Sequence, residues 1–283
     1  MMVASAERLA ALLRERDPEL VVGMPMRDAA CTVAGSVASL LAQRGVHGRL
    51  VVVVLDDGST DASIQVLAPF ARDRRLLIVR GRWGRAWAVR NTLLAAVEAG
   101  ARRCRLVFRL DADDRLGAPD VLSRIERHFR SARSFPGGGR RPEPLALLAG
   151  NALAQDGRLL SRVNLPHARF ATAAGLYERL VGMASGDPLA ELPSCNLVLS
   201  TGGTWRYPPV LSAEDHFLTA RVLTESPARI SIADDLIYCT YSLSGALTRE
   251  NRARARHRSS RQMLLQAWCR WIDRSRGRRA PVG

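Results

Sequence analysis

The sequence predicts an α/β fold in which a doubly wound, mostly parallel sheet is flanked by helices. Continuous runs of valine and leucine, such as residues 50–55, are typical of strands that are buried on both faces of a parallel sheet. Over the first 130 residues these runs alternate with segments of helical periodicity. Because crossovers between parallel strands are right-handed, the carboxyl ends of the strands should meet at one edge of the sheet. The length of 283 residues suits one large domain.

The expected elements follow one another in regular order. A short surface helix is predicted before residue 20, because Leu9, Leu12 and Leu13 form one apolar stripe among charged residues. Those charges argue against a signal peptide, and no apolar run approaches the ~20 residues of a membrane span. Strands are predicted over residues 20–24, 50–55, 76–79 and 105–110, and helices over residues 33–43, 62–71, 86–99 and 120–130.

The pattern is less regular after residue 130. Residues 131–144 contain three consecutive glycines between prolines and are predicted to form a flexible loop that could act as a lid. Residues 145–153 and 158–163 resemble the two strands of a hairpin. The remaining expected elements are a helix over 168–183, a strand over 196–200, a helix from Glu214, one or two strands within 230–241 and a last helix over 260–272.

The charge of the chain is strongly positive and unevenly spread. The net charge is +15, and residues 247–283 carry eleven arginines against two acidic residues, which is +9 of that total. A surface of this kind attracts nucleic acid, anionic lipid or an acidic protein. The five cysteines are widely spaced and form no CxxC pair. They therefore favour a reducing, cytoplasmic location over a disulfide scaffold or a structural zinc site.

Four acidic clusters occur along the chain, at Asp56–Asp57, Asp111–Asp114, Glu214–Asp215 and Asp234–Asp235. The first two directly follow predicted strands, where open α/β sheets keep their ligand crevice. Asp56 and Asp57 either shape a strand–turn–helix connection or accept a hydrogen bond from a nucleobase. Asp111 and Asp113 can face one cleft, where carboxylate oxygens suit a Mg²⁺ or Mn²⁺ ion on a diphosphate.

Two further segments carry candidate site residues. Arg90 lies in a predicted helix that opens after a stretch rich in glycine and arginine, where a guanidinium and a helix N-terminus can both bind a phosphate. Asp215 has two interpretations. With Ser212 it fits the pattern of a helix cap, and beside the other acidic clusters it can serve as a general base.

Taken in order, these segments resemble the family 2 glycosyltransferases with the GT-A fold. The resemblance is carried by the opening strand and loop through Pro25, by Asp56–Asp57 with the residues up to Asp61, by Gly84 through Arg90 and Asn91, by Asp111-Ala112-Asp113, and by Glu214–Asp215. It covers residues 20–122 and returns over residues 213–223. The ordered set is specific, although each motif alone is weak.

The resemblance implies an inverting transfer that depends on a metal, Mn²⁺ or Mg²⁺, and on a nucleotide-diphosphate sugar, with UDP as the expected nucleotide. It assigns base binding to Asp56 or Asp57, and contact with the base or diphosphate to Arg90. Donor contacts are also expected at Pro25, Asp111 and Ala112, metal ligation at Asp111 and Asp113, and catalysis at Asp215 with its neighbour Glu214. The family often adds a contact from its C-terminal region, for which His257 is the candidate.

The same resemblance divides the chain into four parts. These are a nucleotide-sugar-binding α/β half over residues 1–130, a flexible loop over 131–144, an acceptor-binding and catalytic-base half over 145–246, and an arginine-rich helical tail over 247–283. The acceptor is expected to be a small molecule or a carrier-linked one. Trp205 can either stack on the acceptor or pack in the core.

The basic helix over residues 260–272 has three interpretations that stay open. Its apolar face can pack on the rest of the domain. It can dock on an anionic membrane surface, which would make the protein peripheral at a membrane. It can also bind an acidic partner, such as an acyl carrier protein that presents the acceptor.

Two other classes of protein are alternatives. A sugar-phosphate nucleotidyltransferase also uses a parallel sheet and metal-binding aspartates, but it should have a basic, glycine-rich loop after the first strand, which residues 23–27 match poorly. A nucleic-acid-binding protein fits the net charge of +15. Since the charge clusters at one end without interleaved aromatic residues, no specific nucleic acid is expected.

Overall fold

The structure is a computed structural model. It describes residues 2–131, 146–155, 158–164, 169, 172–187, 190, 192, 197–201, 203–225, 229–241 and 256–277. The flexible loop expected over residues 131–144 lies outside the described residues except for Ser131, which is the last residue of a helix. Among the described residues, no helix is both long and apolar enough to cross a membrane.

A nine-stranded sheet forms the centre of the described chain. Its strands are β1 (Leu20–Met26), β2 (Leu50–Asp56), β3 (Leu76–Arg80), β4 (Leu106–Arg109), β5 (Arg115–Leu116), β6 (Ala146–Gln155), β7 (Arg158–Asn164), β8 (Leu197–Ser200) and β9 (Ile230–Tyr241). Their order is β3-β2-β1-β4-β8-β6-β9-β5, with β7 paired to β6. The first four strands pair in parallel, whereas β8 is antiparallel to both β4 and β6. The predicted parallel sheet is thus confirmed in the first half, and the second half extends it with mixed pairing.

Helices cover both faces of this sheet. They are α1 (Met2–Arg16), α2 (Val33–Leu41), α3 (Ala86–Gly100), α4 (Val121–Ser131), α5 (Ala173–Ser185), α6 (Glu214–Glu225) and α7 (Arg256–Gly277), and a 3-10 helix spans Gln65–Phe70. The core on one face includes side chains of α1, α3, α5, α6 and α7, and the core on the other face includes those of α2 and α4. This arrangement is the doubly wound fold that the sequence predicts.

The segment expected as a helix over residues 62–71 is instead a short 3-10 helix at Gln65–Phe70. Pro69 lies inside it and cannot donate a backbone hydrogen bond. The residues before it bond to the loop after β1: Ser63 Oγ accepts from the Ala29 N–H at 2.7 Å, and Asp61 Oδ2 accepts from the Ala30 N–H at 3.0 Å. The predicted α-helix is therefore wrong, because Pro69 and these hydrogen bonds to the loop after β1 prevent a regular α-helix in this segment.

Helix α1 is confirmed as a surface helix, because Arg8, Arg14 and Glu15 are exposed while its apolar stripe faces the core. Leu9 and Leu13 are fully buried in the same core as residues of α3. The single apolar stripe of α1 is the contact face of a core element.

The later elements agree with the sequence in kind and differ in extent. Strands β6 and β7 pair antiparallel as the expected hairpin, and residues 230–241 form one strand. Helix α5 begins only at Ala173, because Thr172 caps it by accepting a hydrogen bond from the Gly175 N–H at 3.1 Å.

Helix α7 is longer than expected, and one of its faces packs on the domain. Leu264 and Trp268 are buried in the core shared with α5 and α6, and the Trp268 indole donates a hydrogen bond to Thr224 Oγ1 at 2.9 Å. Arg258 and Arg270 are exposed. The helix therefore stabilises the domain with its apolar face and presents basic side chains to solvent.

Candidate active site

The turn after β2 lies at the carboxyl edge of the parallel strands, where Asp56 is in register with Met26 of β1. Gly58 forms this turn with a φ of 76°, a conformation that favours glycine. Asp56 is fully buried: one oxygen accepts the Ser59 N–H at 2.9 Å, and the other lies 3.2 Å from Arg80 Nε. The structure thus places Asp56 inside the turn, as a group that holds its shape.

Asp57 stands on the more open side of the same turn. Its carboxylate accepts hydrogen bonds from the backbone N–H groups of Trp83 and Gly84, the latter at 2.9 Å. Gly84 has a φ of 70°, so this loop depends on a glycine there. Asp57 therefore ties the end of β2 to the loop that leads into α3.

Asp28, which is not among the site residues predicted from sequence, joins the loops after β1 and β2. Its Oδ1 accepts the Thr60 N–H at 2.7 Å, and its own N–H donates to Ser59 Oγ at 2.9 Å. The Thr60 backbone bond is the main reason that the pKa of Asp28 lies below its usual value. These loops are fixed relative to each other before any ligand arrives.

Arg90 projects from α3 into a cluster of carboxylates. Its guanidinium pairs with Glu214 and lies 3.3 Å from Asp111 Oδ1. It also stacks over the Tyr207 ring at 5.4 Å from the centroid. Asn91, the next residue, bonds both the N–H and the carbonyl of Tyr207 at 2.8 Å. Within the segment from Gly84 to Asn91, Asn91 thus fixes the loop before α6, and Arg90 places its guanidinium among the carboxylates.

Arg109 lies at the centre of this cluster and is absent from the site residues predicted from sequence. It lies at the end of β4, where its Nε and Nη2 hold the two oxygens of Asp111 at 3.0 and 2.9 Å. Its Nη2 is also 3.2 Å from Asp215 Oδ2. The one available signal was a charged residue within an otherwise apolar run at residues 106–110.

Asp215 lies in the first turn of α6, with both carboxylate oxygens engaged. Oδ2 faces Arg109, and Oδ1 accepts the His216 N–H at 2.9 Å and lies 3.2 Å from His216 Nδ1. Burial alone would raise the pKa of Asp215, but His216 and the arginines outweigh burial and hold it well below its usual range. The carboxylate is ionised and directed at the cluster of charges, so its contacts go beyond the role of a helix cap.

The two carboxyls of the Asp111-Ala112-Asp113 motif differ in their electrostatics. Burial raises the pKa of Asp111, but Arg109 and Arg90 outweigh burial and lower it. Burial and the charge of Asp111 raise the pKa of Asp113. A cation beside Asp113 would relieve this unfavourable negative charge. Ala112 itself is buried, and its carbonyl accepts the Ser36 hydroxyl at 2.9 Å, which anchors the motif to α2.

The residues of this motif fit a hard divalent cation only in part. Within the described ranges, no group of three or more histidine, cysteine, aspartate or glutamate side chains is arranged to hold a metal ion. Mg²⁺ and Mn²⁺ commonly take one or two carboxylates and complete their shell with water and substrate phosphates. Asp113, with Asp111 beside it, suits that mode of binding.

The other predicted site residues have different positions. Pro25 pairs with Leu55 near the end of β1, and with Arg90, Arg109 and Tyr207 it lines a small open cavity. Glu214 is buried and paired with Arg90, so it holds that guanidinium within the cluster. His257 lies in the first turn of α7, and its side chain is outside the described residues.

Residues 21–141 match the model of glycosyl transferase family 2. No curated protein matches the chain significantly. Among solved structures, S. aureus TarS 1–349 in complex with UDP is 17% identical with a TM-score of 0.59, over 89% of this chain and 70% of that one.

A second structure of the same protein, in complex with UDP-GlcNAc, gives a TM-score of 0.58 at 17% identity over 89% and 71% of the two chains. The mannosyltransferase PcManGT from Pyrobaculum calidifontis, in complex with GDP-Man and Mn²⁺, gives 0.51 at 17% identity over 90% and 72%. These similarities show a shared fold.

Proposed function

We propose that the protein moves a sugar from a nucleotide diphosphate to an acceptor hydroxyl, because residues 21–141 match the model of glycosyl transferase family 2 and the chain shares its fold with TarS. The transfer is a single displacement that inverts the anomeric carbon. The acceptor is a small molecule or a carrier-linked one. The structures of TarS with UDP and UDP-GlcNAc favour a uridine nucleotide, and the mannosyltransferase with GDP-Man makes guanosine the main competitor.

One observation carries the proposal: the two acidic motifs meet at one charged cluster. Asp215 follows Arg109 by 106 residues in the chain, yet both it and Asp111 bond to the same guanidinium. Arg90 joins Asp111 to Glu214 in the same way. A donor-binding carboxylate and an acceptor-side base belong next to each other in a transferase, because the acceptor must attack the carbon that the donor presents.

Donor recognition falls to the loops at the carboxyl edge. Asp57 is better placed than Asp56 to meet the nucleobase, since Asp56 is fully buried and Asp57 is partly exposed. Arg90 lies near the N-terminus of α3, where its charge and the helix dipole both favour the diphosphate. A divalent cation held by Asp113, with Asp111 beside it, would neutralise the negative charge that grows on the leaving diphosphate.

Asp215 is the proposed general base. As the acceptor oxygen bonds to the anomeric carbon, the bond from that carbon to the diphosphate oxygen breaks, and the hydroxyl proton passes to Asp215. The proton then leaves to solvent, which restores the carboxylate. The lowered pKa of Asp215 keeps it ionised at neutral pH, at the expense of basicity before the reaction begins.

The acceptor side is formed by the region after residue 145. Trp205 is 8% exposed, and Arg221 lies over its ring at 5.7 Å from the centroid. Because its ring is buried in this way, Trp205 is better suited to packing within the domain than to stacking on an acceptor ring. The acceptor therefore meets the polar groups around Asp215 and the loop at residues 203–207.

The experiment that tests the proposal separates donor binding from transfer. Release of UDP from UDP-GlcNAc and of GDP from GDP-mannose is measured with Mn²⁺, together with nucleotide binding. We expect Asp113→Asn to lose metal-dependent binding, and Asp215→Asn to keep binding while turnover falls by about 10²- to 10⁴-fold. Asp73→Asn, which removes a carboxylate paired with Arg75 before β3, is the control and should change neither. Near-normal turnover of Asp215→Asn would rule out its role as the base.

A further inference from the structure

Arg109 occupies a position where the strand pattern calls for an apolar residue. It lies on the same face of β4 as Val107, whose side chain packs in the core with residues of α3. The Arg109 side chain is only 7% exposed. A buried guanidinium is unfavourable unless it is paired and hydrogen-bonded. Its partners therefore indicate why this strand carries a charge.

Those partners come from both sides of the proposed reaction. Two nitrogens of Arg109 hold the two oxygens of Asp111 at 3.0 and 2.9 Å, and Nη2 also reaches Asp215 at 3.2 Å. The backbone of Arg109 is fixed as well, because its carbonyl accepts the Tyr238 hydroxyl of β9 at 2.6 Å. One planar group on a rigid strand thus connects the donor-side carboxylate to the acceptor-side one.

We propose that Arg109 is a positioning residue that sets the place of the Asp215 carboxylate relative to Asp111. The proposal rests on the function proposed above. A guanidinium carries its N–H groups in fixed directions, so the two bonds to Asp111 aim Nη2 at Asp215. Arg109 then acts on the reaction only through these two carboxylates. Its loss should reduce turnover much more than donor binding.

Arg105 offers a matched control within the same strand region. It lies four residues earlier, before β4, and also pairs with two carboxylates, Glu19 at 3.2 Å and Glu126 at 3.0 Å. These contacts are at the amino end of the strand, away from the carboxyl edge. If Arg109 only supported the fold, the same substitution at the two arginines would have similar consequences.

The test compares Arg109→Gln, Arg109→Lys and Arg105→Gln by nucleotide release from UDP-GlcNAc and GDP-mannose with Mn²⁺. For Arg109→Gln we expect kcat to fall about 100-fold, as for a reacting group misplaced by about 1 Å, with KM for the donor within about threefold. Arg109→Lys keeps the charge and one hydrogen bond, so its kcat should be about a tenth of that of the unmodified protein. Arg105→Gln should stay within about twofold of the unmodified protein on both constants.

A double-mutant cycle with Asp215→Asn then tests whether Arg109 works through Asp215. The double variant Arg109→Gln/Asp215→Asn should be no more than about threefold slower than Asp215→Asn alone, since the second change removes support for a group already lost. Full additivity of the two losses would overturn the proposal. So would an Arg109→Gln variant whose kcat is unchanged or whose loss is confined to KM.

A replacement variant and the activity of the unmodified protein keep the test decisive. If Arg109→Gln does not fold, the same cycle is run with Arg109→Lys, for which additivity has the same meaning. If the unmodified protein neither binds a nucleotide nor releases one from a donor, the proposed function fails, and this inference fails with it. An active unmodified protein with a fully active Arg109→Gln variant overturns the inference alone.

Discussion

The two ends of β4 carry arginines in similar pairings with opposite exposure. At the amino end, Arg105 is 33% exposed and its partner Glu126 is 1% exposed. At the carboxyl end, Arg109 is 7% exposed, while its partners Asp111 and Asp215 keep 28% and 17% exposure. The carboxylate is buried at one end, and the cation is buried at the other.

This difference separates a structural pair from a site. Glu126 also binds the His47 N–H and Arg130, both at 3.1 Å, so its oxygens are used to join parts of the scaffold. Asp111 and Asp215 face outward from a buried arginine, which leaves the anionic groups in reach of a ligand. In the proposed site, the two carboxylates that would react stay accessible, and the arginine that holds them is buried. Substitutions at the two ends should therefore have different consequences.

The largest effect is expected at the carboxyl end. Asp111→Asn removes the bidentate partner of Arg109 and a partner of Arg90, so turnover should fall at least about 100-fold. Because each of these buried cations loses one of its partners, the free energy of unfolding should also fall by about 1–3 kcal/mol. Kinetics of nucleotide release and denaturant unfolding measure the two quantities. An active Asp111→Asn variant would show that this end of β4 is also a scaffold.

At the amino end, only stability should change. Glu126→Gln weakens the bonds to Arg105, Arg130 and the His47 backbone, and it should lower the free energy of unfolding by about 1–3 kcal/mol. Nucleotide release by the folded variant should stay within about twofold of the unmodified protein. A large loss of turnover at unchanged donor binding would erase the distinction between the two ends.

Acid should weaken the carboxyl-end pair in a defined pH range. Folding lowers the pKa of Asp215, because His216 and the arginines outweigh burial. Its ionised form therefore stabilises the folded state above its unfolded pKa of about 3.9, and that stabilisation disappears as the pH falls through the folded value. The difference in unfolding free energy between the unmodified protein and Asp215→Asn should be constant above about pH 5 and shrink below about pH 4. A difference that widens on acidification would contradict this assignment.

The smallest effect concerns Cys104, which lies next to Arg105. Burial raises the pKa of the Cys104 thiol to about 12, whereas Cys31 is exposed. At pH 8, iodoacetamide should therefore label Cys31 and leave Cys104 unmodified, as measured by peptide mass spectrometry. Glu126→Gln should make Cys104 slowly reactive by loosening the amino end. Rapid labelling of Cys104 in the unmodified protein would show that this end is not packed as described.

The sequence predicts the parallel half of the fold well, because its strands are buried on both faces and read as continuous Val/Leu runs. It also predicts Asp111 and Asp215 as candidate site residues, since both belong to recognisable motifs, and the structure brings both to Arg109. It fails at residues 62–71, where Pro69 and the bonds of Ser63 to a distant loop prevent a regular helix. It misses Arg109 as a site residue, because the importance of that charge depends on a partner 106 residues away.

The charge environment of Asp113 is the least predictable feature of the site. Its raised pKa comes from burial and from the neighbouring charge of Asp111, and both depend on how the chain around the motif is folded. The acidic motif in the sequence suggests a cation site. Only the structure shows that Asp111 is already neutralised by arginines while Asp113 is not.

The measurement that tests the central claim most directly is the melting temperature of the unmodified protein with UDP, GDP, dTDP or CMP, each with and without Mn²⁺. A ligand that binds the folded state raises the melting temperature by mass action. We predict a rise for one nucleoside diphosphate that requires Mn²⁺ and disappears in Asp113→Asn. No rise with any nucleotide, or a rise that depends on neither Mn²⁺ nor Asp113, would contradict the assignment of this edge of the sheet as a metal-dependent donor site.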